Sequence, residues 1–339
     1  MMLPGDDVPA LQVATPETAS PEPSPPFIAL VGPTAVGKTA IAVELAKAMG
    51  GEIVALDSMQ VYRYLDIGTA KPMPEAQKEI PHHLIDVVDP WDPFTAIDYA
   101  LLARQVLKEI HARGRMPLVV GGSGLYLRAL CGGIFNGPGG VTGIRTRLTQ
   151  EIKRGGPALL HARLTRLDPA IAAKVHPKDA FRLIRALEII EITGRRVSEL
   201  WKAHRQGLMR PSTLLVGLRR ERTVLYRRIN DRVDRMGASG LVEEVDRLLK
   251  AGHPPHLKPL RSHNYRHIVA YLLGQQGWEE AVRRTQQETR HYAKRQMTWF
   301  RSENEITWFD PTDSEPDRIT ALLIEHIQRR RERHGTDSS

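Results

Sequence analysis

The chain has 339 residues, 41% hydrophobic and 26% charged, with a single cysteine, Cys131; this suits a globular protein of two or three domains and excludes a disulfide framework or a cysteine-built zinc site. The formal net charge is +9, and residues 1–26 hold four acids and no Lys or Arg, so +13 falls on the remainder. An excess of that size points to a polyanionic partner, nucleic acid before membrane. There is no basic-led apolar leader and no run of about 18 apolar residues, so a cytoplasmic location is expected, with no membrane partner.

Residues 1–26 carry seven prolines and little that could pack, and they read as a disordered tail. From Phe27 the pattern alternates: strand over 27–31, helix over 38–49, strand over 52–56, a loop region, helix near 96–113 and strand over 116–120. Such repetition predicts an α/β fold, a parallel sheet with helices on both faces. Gly-rich residues 132–143 break it, and helical spacing from 143 to about 201 predicts an inserted all-helical module. A strand over 213–218, helices including 221–236 and continuing to 301, a short strand over 306–309 and a charged C-terminal helix complete the chain. The expected division is a tail (1–26), a core domain in two parts (27–135 and 206–312), the helical insertion (136–205) and a C-terminal helix and tail (313–339).

The stretch Gly32-Pro33-Thr34-Ala35-Val36-Gly37-Lys38-Thr39 lies between a strand and a helix, the context of a phosphate-binding loop. Its backbone N–H groups and the helix start attract a pyrophosphate, Lys38 reaches phosphate oxygens, and the Thr39 hydroxyl can hold Mg²⁺. Ligands in such sheets gather at the carboxyl ends of strands. Asp57 and Ser58 sit there, and Asp57 can hold magnesium through water, act as a general base or cap a helix. The strand over 116–120 ends not in a Walker B acid but in Gly121-Gly122-Ser123-Gly124, where a substrate could lie against the backbone. That weighs against an ordinary ATPase or GTPase.

The motifs at 32–39, 57–62 (Asp-Ser-Met-Gln-Val-Tyr), 66–72 (Asp-Ile-Gly-Thr-Ala-Lys-Pro), 121–126, 228–233 and 294–301 occur in the order seen in tRNA dimethylallyltransferases, and over roughly residues 27–310 the chain resembles that family, bacterial type. The resemblance implies a P-loop NTPase-like fold with an RNA-binding insertion. It also implies transfer of a dimethylallyl group from dimethylallyl diphosphate to the exocyclic amine of the adenosine beside the anticodon of tRNA, at position 37. On this reading Asp57 takes the amine's proton, Thr34 and Arg232 bond the diphosphate near the breaking bond, and Gln60 reads the base edge. It implies tRNA contacts at Asp57, Ser58, Met59, Gln60, Ser123, Arg145, Phe181, Arg182, Leu183, Ile184, Arg185, Arg261, Tyr265, Arg266, Lys294, Arg295, Gln296, Trp299 and Arg301. Mg²⁺ is the expected cofactor and the enzyme is expected to be a monomer. A P-loop kinase of a small acceptor leaves the basic insertion unexplained, and a non-catalytic, nucleotide-regulated RNA-binding protein leaves Asp57 and Gln60 without a role.

Independently of the resemblance, Phe181 to Arg185 place two arginines on one helical face, suited to phosphate contacts or to snorkelling over a core. Lys294 to Arg301 mix cations with Trp299 and Phe300, suited to stacked bases or to core packing. The chain departs from the family at Asn264, where a glycine usually precedes Tyr265. Asparagine tolerates the positive φ of a glycine turn, so the turn is expected to persist. His82 and His83, adjacent and without further spaced ligands, read as structural.

Overall fold

The computed structural model describes residues 25–132, 134, 137, 140–206, 213–312 and 316–336. Residues 1–24 of the expected tail and the expected boundary at 135–136 lie outside them. In chain order the first part holds β1 (Phe27–Val31), α1 (Lys38–Met49), β2 (Gly51–Leu56), α2 (Pro74–Glu79), β3 (His82–His83), α3 (Ala96–Ala112), β4 (Met116–Gly121) and α4 (Gly124–Leu130). Helices α5 (Thr142–Gly155), α6 (Pro157–Leu167), α7 (Pro169–Ala172), α8 (Ala180–Thr193) and α9 (Val197–Gln206) follow. The chain then returns through β5 (Thr213–Leu218), α10 (Arg222–Ala238), α11 (Leu241–Lys250), α12 (Arg266–Leu272), α13 (Trp278–Arg301), β6 (Thr307–Phe309) and α14 (Pro316–Thr336).

The six strands are parallel and lie in the order β3-β2-β4-β1-β5-β6. Strand β1 is central and apolar throughout because both its faces are covered. Phe27, Ala29 and Val31 join a core with α3, α4, α11 and α12, while Ile28 and Leu30 join a second core with α1, α10 and α14. The stretch expected to be loop between β2 and α3 contains α2 and the edge strand β3, pieces too short to show a periodicity. His82 and His83 are β3 itself, paired with Ile53 and Val54 of β2.

Helices α5 to α9 pack on a third core, built on Leu148, Leu160, Leu164, Leu183, Leu187 and Leu200, which shares no residue with the sheet's two cores. Because β2, β4 and β1 are neighbours, their carboxyl ends bring Asp57, Gly122 and the loop after β1 to one edge. Among the described residues no helix is long and apolar enough to cross a membrane.

Candidate active site

Strand β1 runs into the loop Gly32–Thr39 and then into α1. Gly37, the residue before α1, sits at φ 110, a left-handed conformation that glycine takes without strain. Lys38 folds back over its own loop, its Nζ donating to the carbonyls of Gly32 (2.9 Å) and Pro33 (2.8 Å). Arginines before and within α10 hold the loop from outside: Arg220 Nε donates to Val36 O and Arg228 Nε to Ala35 O, both at 2.9 Å. The Thr34 N–H donates to Gln296 Oε1 (2.9 Å), and Gln296 Nε2 donates to Gly122 O (3.0 Å). Gln296, buried on α13, therefore ties the phosphate loop to the turn after β4.

Asp57 follows β2 directly. Its Oδ1 accepts the N–H groups of Met59 (2.8 Å) and Gln60 (3.3 Å), capping the turn, while Oδ2 takes no hydrogen bond among the described residues. One carboxylate thus has both a capping oxygen and one open to a ligand. Burial raises the Asp57 carboxyl above its ordinary range, and the two turn N–H groups, Lys38 and Arg232 partly offset this. Burial, helped by the neighbouring Arg232 charge and opposed by Asp57, brings the Lys38 ammonium down to about 7. Burial also lowers Arg232, against the attraction of Asp57.

Asp57, Lys38 and Arg232 share a cavity of ≈ 100 Å³ with Thr34, Thr39, Gln60, His263, Tyr292 and Gln296. His263 stacks on Tyr292 with ring centroids 4.4 Å apart. Burial first, then Arg295, brings His263 to about 4, so it presents a neutral ring at physiological pH. Tyr292 lies beside Ser123 and Gln296, and Ser123 Oγ accepts the Ser58 N–H at 3.1 Å.

The expected tRNA contacts divide into two sets. Phe181 is 78% exposed on α8, next to the exposed Arg182, and Arg261, Lys294, Arg295 and Arg301 also face outward. Met59 and Gln60 line the cavity. Others are occupied within the protein. Leu183 is core of the helical module, and Ile184 packs against that core. Arg145 and Arg185 both donate to the buried Glu188 carboxylate at 2.8 Å. Tyr265 is buried with its hydroxyl on Glu244 (2.6 Å), and Arg266 pairs with Glu288. Gln296, Ser58 and Ser123 join loops as described. Trp299 packs on Gly124 with the Arg128 guanidinium over its ring.

The turn after β4 differs from expectation for the same reason. A Cβ at Gly122 would collide with the Gln296 amide and one at Gly124 with the Trp299 ring, so α13, not a substrate, lies against those glycines. Asn264 is not at positive φ; its side chain bridges two elements instead. Sequence reading missed Arg220, Arg228, His263 and Tyr292 as parts of the site. The signal for two of them was available: Arg228, Arg232 and Arg235 repeat at helical spacing on α10, and Tyr292 and Gln296 are four apart on α13.

Strand β4 ends in glycine rather than in the acid of an ordinary nucleotide hydrolase, and fold and site together define a P-loop α/β enzyme. The chain belongs to the IPP transferase family, whose profile matches residues 60–303; the Isopentenyl transferase profile matches residues 26–86. It is 49% identical over 289 residues to the tRNA dimethylallyltransferase of Syntrophobacter fumaroxidans, covering 85% of this chain and 84% of that protein. Identity to the Geobacter sulfurreducens enzyme of the same name is 49% over 284 residues, covering 84% and 91%. The crystal structure of the tRNA isopentenylpyrophosphate transferase from Bacillus halodurans matches with TM-score 0.69 and 40% identity, covering 92% of this chain and 98% of that one. A eukaryotic dimethylallyltransferase acting on tRNA matches with TM-score 0.74 and 27% identity, covering 90% and 80%.

Proposed function

We propose that this protein transfers a dimethylallyl group from dimethylallyl diphosphate to N6 of the adenosine at position 37 of tRNA, releasing diphosphate. The observation that carries this reading is the free Asp57 Oδ2 in the same cavity as Lys38 and Arg232 at the phosphate loop. The N6 lone pair forms the new bond to the allylic carbon while the carbon–oxygen bond breaks, its electrons staying on the departing diphosphate. Asp57 takes the N6 proton. Lys38, Arg232 and the loop N–H groups stabilise the charge that grows on the leaving oxygen. On this reading Thr34 is positioned by Gln296 to join them.

Among the described residues no cluster of three His, Cys, Asp or Glu could hold a metal alone, and the exposed Thr39 hydroxyl at the start of α1 suits Mg²⁺ carried by the diphosphate. Such an ion would neutralise charge on the leaving group, with Thr39 holding it.

Phe181 and Arg182 on the helical module would contact the RNA, and a basic groove between α10 and α13 lined by Arg222, Arg283, Arg290 and Lys294 offers a path for its phosphates. We place the enzyme in the cytoplasm, acting as a monomer. Incubation with unmodified tRNA and labelled dimethylallyl diphosphate, beside labelled ATP, tests the assignment. Label on tRNA from the allyl donor alone is expected; transfer from ATP, or binding without transfer, would replace it with a kinase or a non-catalytic RNA-binding protein.

A further inference from the structure

The loop Asp66–Ala70 is gripped from two sides. The buried Glu244 carboxylate accepts the N–H groups of Asp66 (2.9 Å), Ile67 (2.7 Å) and Gly68 (3.2 Å) as well as the Tyr265 hydroxyl. From the other side Asn264 Nδ2 donates to Gly68 O (2.6 Å), and the Thr289 hydroxyl of α13 shares its one proton between Thr285 O (2.7 Å) and Asn264 Oδ1 (3.1 Å). A Cβ at Gly68 would collide with the Tyr265 ring. The N–H, carbonyl and Cα of one residue are therefore all fixed. A glycine at 264 could make neither of the bonds that Asn264 makes.

The loop's next two carbonyls, of Thr69 and Ala70, both accept from Gln60 Nε2 at 3.2 Å. An amide whose NH₂ group is committed to two carbonyls cannot flip, so only its Oε1 has capacity for a ligand. Gln60, Thr69, Ala70 and Asn264 all line the cavity that holds Asp57.

We propose that Asn264 and Glu244 are positioning residues which, through the 66–70 loop, hold Gln60 as a hydrogen-bond acceptor toward the exocyclic amine of the acceptor base. The inference rests on the prenyl-transfer reading. An amine has two N–H groups, one for Asp57 to deprotonate and one for Gln60 Oε1 to orient. A 6-oxo purine would set an acceptor against an acceptor, leaving both unpaired and rejecting the base.

The test uses anticodon stem-loop RNAs carrying adenosine or inosine at the acceptor position. Wild type should bind the adenosine RNA more tightly, by roughly tenfold or more. Asn264→Ala should lower kcat/KM for the RNA by roughly two- to tenfold and shrink that preference by a similar factor, with dimethylallyl diphosphate affinity unchanged. Thr289→Val, which cuts the same bridge from its other end, should shift both in the same direction. In a Gln60→Ala background Asn264→Ala should add nothing, because it acts through Gln60. An unchanged base preference in Asn264→Ala, or losses that add to those of Gln60→Ala, would overturn the proposal. Failure of wild type to prenylate either tRNA or the adenosine RNA would instead overturn the function reading.

Discussion

In the proposed reaction Asp57 works as a base only while ionised, and burial makes ionisation harder, so its carboxyl titrates above the ordinary value of 3.8. As pH falls through that raised value the reactive form is lost, and single-turnover rates should fall on an acid limb lying above pH 3.8 while RNA affinity holds. Asp57→Asn should remove that limb and reduce turnover by roughly 10²–10⁴-fold, with RNA binding close to wild type; near-normal turnover would leave Asp57 as a turn cap only. Lys38 has the opposite problem. At about 7 in the free protein, it is mostly uncharged at pH 8, whereas phosphates at the loop restore its charge. The complex then binds more protons than the free protein, so affinity for the diphosphate donor should weaken as pH rises above 7. Calorimetry at pH 8 in buffers of different ionisation enthalpy should show uptake of most of one proton, absent in Lys38→Met. Lys38 and Asp57 were legible in the sequence because a motif fixes their neighbours. Gln296 was expected only as an RNA contact: its role as a strap depends on α13 crossing the loop after β1, a contact between positions 262 apart.

Among the elements, strands β1 and β5 and helix α1 occupy the residues their sequence periods predict: the strands lie in the buried sheet layer, where the apolar pattern runs on, and α1 lays its apolar face against that sheet. Two-residue β3 and six-residue α2 were invisible for lack of length. The face of α8 was legible only in part. Period alone puts Arg182 and Arg185 on one side, yet Arg182 points to solvent beside Phe181, whereas Arg185 turns to the buried Glu188, a partner no local pattern announces. The two arginines should therefore separate experimentally. Arg182→Ala should weaken tRNA binding and lower its log–log salt slope by about 0.7–0.9, without lowering the melting temperature. Arg185→Ala should destabilise the helical module by about 1–2 kcal/mol, because among the described residues Glu188 then keeps Arg145 and the Val141 N–H alone. Thermal melts beside binding isotherms at several salt concentrations would distinguish them; equal salt slopes for the two variants would assign both arginines to RNA or neither.

At the scale of the molecule, the chain leaves the sheet after α4, builds a module with its own core and returns to finish the layer it left. The phosphate loop is made well before α13, which supplies its last partner. At typical synthesis rates Thr34 leads Gln296 by roughly 15–50 s, and during that interval α13 is not there to cover Gly122 and Gly124 or to close the strap. The helical module needs no such wait, because Leu148 to Leu200 span its core. A nascent chain should thus pass through a stage in which the helical module is folded and the phosphate-loop region, although its motif is complete, is not. Pulse proteolysis of stalled chains should find the segment from α5 to α9 protected before β1 and α1 are. Chains released at residue 206 should not retain dimethylallyl diphosphate, whereas those carrying α13 should. Retention of the donor by the shorter chain would mean that the loop reaches its binding shape without its strap.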